Sequence, residues 1–254
     1  MSWDSDALRR PATAYAQTLA VIIFKMRFGF TLMLILIALT TATSQTDLDY
    51  INSDEFVPDG QIKGIGLIEV DLGRDFHGKD LIVYDTKGNP KITIRVTESN
   101  VTTTLGGKSY SRNDNSNPFN PRYFGDNPDY FVLVFDCTKS TDKYYHVVVD
   151  QKTNEIGLIK KADSLFKFET VSTYVSEWTT LGLDFDRLQN PLRQEPSDNA
   201  AVILNEDTKK YKIWRAEKIE MKGDWLKVKT KDKKEGWIRW RRDDKIIIQL
   251  YFAC

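Results

Sequence analysis

From residue 62 onward, hydrophobic and polar positions alternate in short runs, each too brief for a helix. Leu67-Ile68-Glu69-Val70 and Leu81-Ile82-Val83-Tyr84 are rich in β-branched residues, and Ile92-Thr93-Ile94-Arg95-Val96 alternates strictly. Lys87-Gly88-Asn89-Pro90 stands between the last two runs. Gly and Asn tolerate positive φ and Pro breaks a strand ladder, so the pattern predicts a hairpin. Residues 130–135, 144–149 and 155–160 read as further strands, with a turn at 150–154. Residues 62–168 therefore read as a mostly antiparallel β domain, either a sandwich or barrel-like.

The period then changes. Val171, Tyr174, Val175, Trp178 and Leu181 recur at three and four residues, which predicts a helix with one apolar face within residues 169–181. Residues 184–190 read as a link. Beyond it, short strands at 201–204, 211–217, 225–230, 236–241 and 246–251 are punctuated by Pro191, Pro196, Gly223 and Gly236. Their number and spacing predict a small barrel. The expected fold class is mainly β: an N-terminal domain at 45–168, a helix and linker at 169–189, and a small barrel at 190–254.

Residues 1–44 read differently. Lys25 and Arg27 form a positive start, residues 28–39 are apolar and uncharged, and Ala42 and Ser44 are small residues suited to a cleavage site. This is the order of a secretory signal peptide, with cleavage expected near Ser44 and Met26 as a natural start. An uncleaved anchor would bury Lys25 and Arg27 mid-membrane, at roughly 2.5–3.5 kcal/mol each. The expected location is outside the cytoplasm, periplasmic or at the cell surface, with membrane contact only through an uncleaved signal.

Charge adds little direction. Lys plus Arg and Asp plus Glu both number 36, and removing residues 1–44 leaves 32 basic and 34 acidic residues. That balance argues against a nucleic-acid partner. The cysteines are Cys137 and Cys254, which an oxidising compartment allows to pair, or which stand as a buried thiol and a terminal one. Residues 111–129 hold five Asn, three Asp and three Pro together with Phe119, Tyr123 and Phe124. A loop of that length is either functional or pinned by its own aromatics.

Catalytic groups are scarce. The histidines are His77 and His146, in no metal-ligand spacing, and no nucleotide-binding glycine loop is present. No cofactor and no metal are expected. Cys137 lies on a strand pattern, and His146 is not directed at it by spacing. Asp184/Asp186 and Asp243/Asp244 are close in sequence, but glycosidase chemistry requires two carboxyls flanking a cleft.

Asn190-Pro191-Leu192-Arg193, Glu195-Pro196-Ser197, Gly223-Asp224-Trp225-Leu226-Lys227-Val228 and Gly236-Trp237-Ile238 follow one another in this order. The stretch 190–248 resembles the bacterial SH3-like (SH3b) domain. The resemblance implies a small barrel that binds peptide or cell-envelope ligands and has no chemistry of its own. It departs from the family at Pro191, at the charged turn 231–235 and in the extension 246–254. If Leu226 and Val228 face the core, alternation turns Trp225, Lys227 and Lys229 outward, and likewise Trp237, Arg239 and Arg241. Two tryptophans beside four cations suit an anionic, stackable ligand. The alternative is that the indoles close the barrel and the cations are a solvated surface.

The expectation is an exported, non-enzymatic binding protein that recognises a peptide, cell-wall or envelope component. Two alternatives stand beside it: an envelope hydrolase with a carboxylate site in residues 62–168, and a structural subunit of an envelope assembly.

Overall fold

The structure is a computed structural model that describes residues 56–111, 114, 116–203 and 212–252. The upstream segment with its expected cleavage site, and Cys254, lie outside the described residues. In chain order the strands are β1 (Gly60–Gln61), β2 (Gly66–Val70), β3 (Asp80–Tyr84), β4 (Pro90–Val96), β5 (Val101–Leu105) and β6 (Lys108–Ser111). Then come β7 (Tyr123–Gly125), β8 (Val132–Ser140), β9 (Tyr144–Asp150), β10 (Glu155–Lys160) and β11 (Phe166–Glu169). Helix α1 (Val171–Trp178) precedes β12 (Leu183–Asp186), β13 (Ile213–Lys222), β14 (Trp225–Thr230) and β15 (Glu235–Arg239). The chain ends with β16 (Arg241–Arg242), β17 (Lys245–Ile246) and β18 (Gln249–Leu250). Among the described residues the fold is mainly β with one α-helix.

The first sheet is antiparallel and runs β11-β2-β8-β9-β10-β3-β4-β5-β6, with β7 also on β8. Ile68, Val83, Ile94, Phe135, Val147, Ile159 and Phe166 alternate onto one face and share a single core. The β3–β4 hairpin forms where the sequence places it. Asp85 Oδ1 accepts from the Lys87 and Asn89 backbone N–H groups at 2.8 Å each, and Gly88 takes a φ of 87°. The long loop is pinned by its aromatics: Phe119 is buried, meets Phe124 edge-on at 5.1 Å, and the chain returns as β7.

The opposite face of this sheet, through Leu67, Val132 and Val134, joins a second core with Tyr174, Val175 and Trp178 of α1. The second sheet, β15-β14-β13-β12-β18, adds Leu183, Phe185, Trp214, Leu226, Val228 and Ile238 to the same core. The stretch Tyr50–Cys254 forms one compact unit. Helix α1 starts at Thr170, whose hydroxyl accepts from the Thr173 N–H at 3.2 Å. It tightens into a 3-10 turn over Thr179–Leu181 and stops at Gly182, whose φ of 107° favours glycine.

Three expectations require correction. Among the described residues no sheet closes into a barrel. The last strands are diverted: β17 pairs with β1 and β16 in a separate small sheet, and β18 pairs with β12 rather than reaching β15. The expected link at 184–190 begins instead as β12, a buried strand inserted between β13 and β18. At 201–204, Val202 makes only an isolated bridge to Arg193, and Leu204 lies outside the described residues.

A buried ion network ties the two halves together. Residues 59–65 bridge them: Asp59 N–H donates to Ile248 O at 3.0 Å and Ile65 N–H to Cys137 O at 2.8 Å. Arg122, from the long loop, donates to Asp59 Oδ2 at 2.8 Å and to Asp136 Oδ1 at 2.9 Å. Asp136 also accepts from Lys63 N–H at 3.1 Å and from Gln151 Nε2 at 2.8 Å. Burial pulls the Arg122 pKa down, but the charges of Asp59 and Asp136 outweigh it and hold it above its ordinary value. Burial raises the Asp59 carboxyl despite Arg122, since two carboxylates share one cation.

Candidate functional site: a basic cleft on the second sheet

The tryptophan face expected from alternation is not presented to solvent. Trp225 and Trp237 are 8% and 9% exposed. The parity was right, because Trp225 lies opposite Arg239, and Lys227 opposite Trp237, across β14 and β15. What covers them comes from elsewhere in the chain. The Arg239 guanidinium lies 4.5 Å from the Trp225 ring centroid and is itself held by Asp198, Nε to Oδ1 at 2.9 Å. Arg193 exchanges two backbone hydrogen bonds with Trp237, each 2.8 Å, and lays the 192–203 segment along β15. Lys227 is half-buried and meets Glu235 at 3.7 Å, while Arg241 turns its Nε onto Asp243 O at 2.6 Å. Of the six sequence-derived residues, only Lys229 is left at the rim of a cavity.

That cavity, about 330 Å³, opens where α1 hands over to β12 and where β14 turns into β15. Its floor is Leu181, Gly182 and Ala216, and its walls carry Arg215, Lys229, Lys231 and Lys233. Register explains the convergence: Leu183 pairs with Ala216, and Ala216 with Thr230, so three strands bring these residues side by side. The turn is stiff, since Thr230 N–H donates to Lys234 O at 2.9 Å and Lys233 N–H to Thr230 O at 2.9 Å, with Lys233 at φ 62°. Arg215 is anchored by Asp184, Nε to Oδ1 at 3.2 Å, and stacks 4.6 Å from the Tyr251 ring. Tyr251 in turn donates to Asp184, and burial raises its pKa to about 12. Burial works against the Arg215 charge, but the Asp184 bond outweighs it and raises its pKa.

Lys229 and Lys233 have no ion-pair partner among the described residues; Glu217, opposite Lys229, is the acidic residue of the lining. Leu181 is 44% exposed, so apolar surface lies beside exposed cations. The arrangement can hold an anionic group against a short apolar stretch. Sequence reasoning reached Lys229 but missed Arg215, Lys231 and Lys233, because it expected no strand at 183–186. The helix-ending Gly182 was the available signal.

Cys137 is fully buried, a free thiol that donates to Lys139 O at 3.5 Å. Burial pushes it up to about 11, so it stays protonated at neutral pH. Its cross-strand partner is Val147, and alternation turns the adjacent His146 to the other face. Two buried acids within residues 62–168, Asp136 and Glu69, are held by Arg122 and Lys167. Among the described residues no helix is long and apolar enough to cross a membrane.

No protein-family model matches the chain, and no curated protein or solved structure matches it.

Proposed function

We propose that this is an exported, non-enzymatic binding protein whose C-terminal SH3-like module captures an anionic ligand in the basic cleft. The ligand class is a carboxylate-bearing peptide or envelope component with a small apolar group next to the charge. The observation that carries this reading is the pairing of Lys229 and Lys233, without ion-pair partners among the described residues, with the exposed floor at Leu181. Arg215, held in place by Asp184 and Tyr251, would supply the fixed donor, and the two lysines the adjustable charge. The cavity is at the lower end of the range for small-ligand sites, ~300–1,000 Å³.

The test is titration calorimetry of the full chain with short peptides ending in glutamate or aspartate. Binding is expected to weaken with added salt, because the lysines are solvent-facing. Lys229→Glu with Lys233→Glu is expected to weaken it at least about tenfold, since like charges then face the ligand. Trp225→Ala, outside the cleft, serves as the comparison. Peptide binding that ignores the lysine reversals but fails with Trp225→Ala would return the site to the covered indole face.

A further inference from the structure

Lys167 and Glu169, two apart on the edge strand β11, project to one face, and Glu69 on β2 is the cross-strand partner of Lys167. Helix α1 brings Glu177 and Trp178 over the same face. One oxygen from each of the three carboxylates lies within 4.8 Å of the other two. The Lys167 ammonium sits among them, 2.7 Å from Glu69 Oε1, 2.7 Å from Glu169 Oε1 and 3.0 Å from Glu177 Oε2. Trp178 Nε1 donates to Glu69 Oε2 at 3.1 Å.

One ammonium faces three carboxylates. The glutamates on the sheet are sequestered, with side chains 4% and 7% exposed for Glu69 and Glu169. Glu169 Oε2 is buried and accepts no hydrogen bond. A buried acceptor left without a donor keeps the full cost of its lost hydration. A lysine has three N–H donors, and here all three directions are used without reaching Glu169 Oε2. A divalent ion would neutralise twice the charge, and a carboxylate can bind it through both oxygens. The Lys167 side chain is a third exposed, whereas Glu69 and Glu169 are buried.

We propose that Glu69, Glu169 and Glu177 form a site for a hard divalent cation of the Ca²⁺ class, and that Lys167 occupies it when the ion is absent. The donors are all carboxylate oxygen, which selects hard ions over thiolate- or imidazole-seeking ones. The ring must contract slightly, from the ammonium distances to the ~2.3–2.6 Å of calcium–oxygen bonds. Glu177, half-exposed on the last turn of α1, is the ligand free to make that movement.

Trp178 makes the site self-reporting. In the full chain, tryptophan excitation is expected to sensitise Tb³⁺ emission, and Ca²⁺ is expected to displace it. Glu69→Gln and Glu169→Gln are expected to abolish the Ca²⁺-displaceable signal with circular dichroism unchanged. Lys167→Met, which removes the competing ammonium, is expected to tighten Tb³⁺ at least about tenfold, the equivalent of 1.4 kcal/mol. The wild-type and glutamine arms stand even if Lys167→Met folds poorly. No Ca²⁺-displaceable emission from the wild type overturns the proposal, as does emission that survives in both glutamine variants. Emission seen only in Lys167→Met also overturns it, because the lysine is then a permanent occupant. The peptide-binding cleft is not involved in any arm.

Discussion

Asp150 closes β9 with a carboxylate that accepts from Lys152 N–H at 2.9 Å, Thr153 Oγ1 at 2.7 Å and Asn120 Nδ2 at 3.2 Å. The Thr153 hydroxyl bond first, then the Lys152 N–H, hold its pKa down to about 2 from an ordinary 3.8. A depressed carboxyl stabilises the fold fully above its unfolded value, and that contribution is lost as pH falls through the folded value. Asp150→Asn is therefore expected to flatten the loss of stability between 3.8 and about 2 relative to the wild type. Urea unfolding at a series of pH values measures it; identical slopes for both proteins would refute the assignment. Such residue-level chemistry is local, and the turn at 150–154 was legible in the sequence for that reason. The fate of the two indoles was not, because alternation sets which face a side chain takes and is silent about what later settles on that face.

At the scale of elements, Gly236 shows how the covering segment is held. A Cβ there would meet Leu192 Cγ at 2.6 Å, Arg193 O at 2.8 Å and Ile203 Cδ1 at 2.8 Å. Gly236→Ala is expected to push the 192–203 segment off β15 and to cost about 1–3 kcal/mol, as overpacking does. Denaturant unfolding gives the loss, and a red shift of tryptophan emission gives the uncovering of Trp237; no change in either would mean that the segment yields freely. Strands with clear alternation or turn chemistry, such as β4, β9, β10 and β14, could be read from the residues. β12 could not. Its Leu183-Asp184-Phe185-Asp186 is too short to show a period, and its acids are buried only because Arg215 and Lys212 reach them from β13 and from the residue before it. Missing β12 meant missing the cleft, whose floor is set by where that strand begins.

For the whole molecule, the decisive group is Arg122, which no periodicity marks. It comes from a loop, lies with its side chain 4% exposed, and neutralises Asp59 of the N-terminal bridge and Asp136 of β8 together. The hydrophobic core that α1 shares with both sheets would hold without it, but the bridge at 59–65 would then carry two buried carboxylates with no cation between them. Removing one partner of a buried ion pair typically costs ~3–5 kcal/mol, because the other charge stays in a poor solvent. Arg122→Met, similar in volume, is expected to lose stability on that scale at neutral pH by denaturant titration. Its pH dependence separates charge from packing. Burial first, then the Asp136 charge, already raise the Asp59 carboxyl against the pull of Arg122, and without the guanidinium it rises further above its unfolded value. A group raised in this way stabilises the fold while protonated and loses that contribution as pH climbs past the folded value. The deficit of Arg122→Met against the wild type should therefore shrink on acidification, and Asp59→Asn in the same chain should reduce it further at neutral pH. A deficit that stays constant with pH would mean that Arg122 acts by filling space, and that the two halves are joined by their apolar core alone.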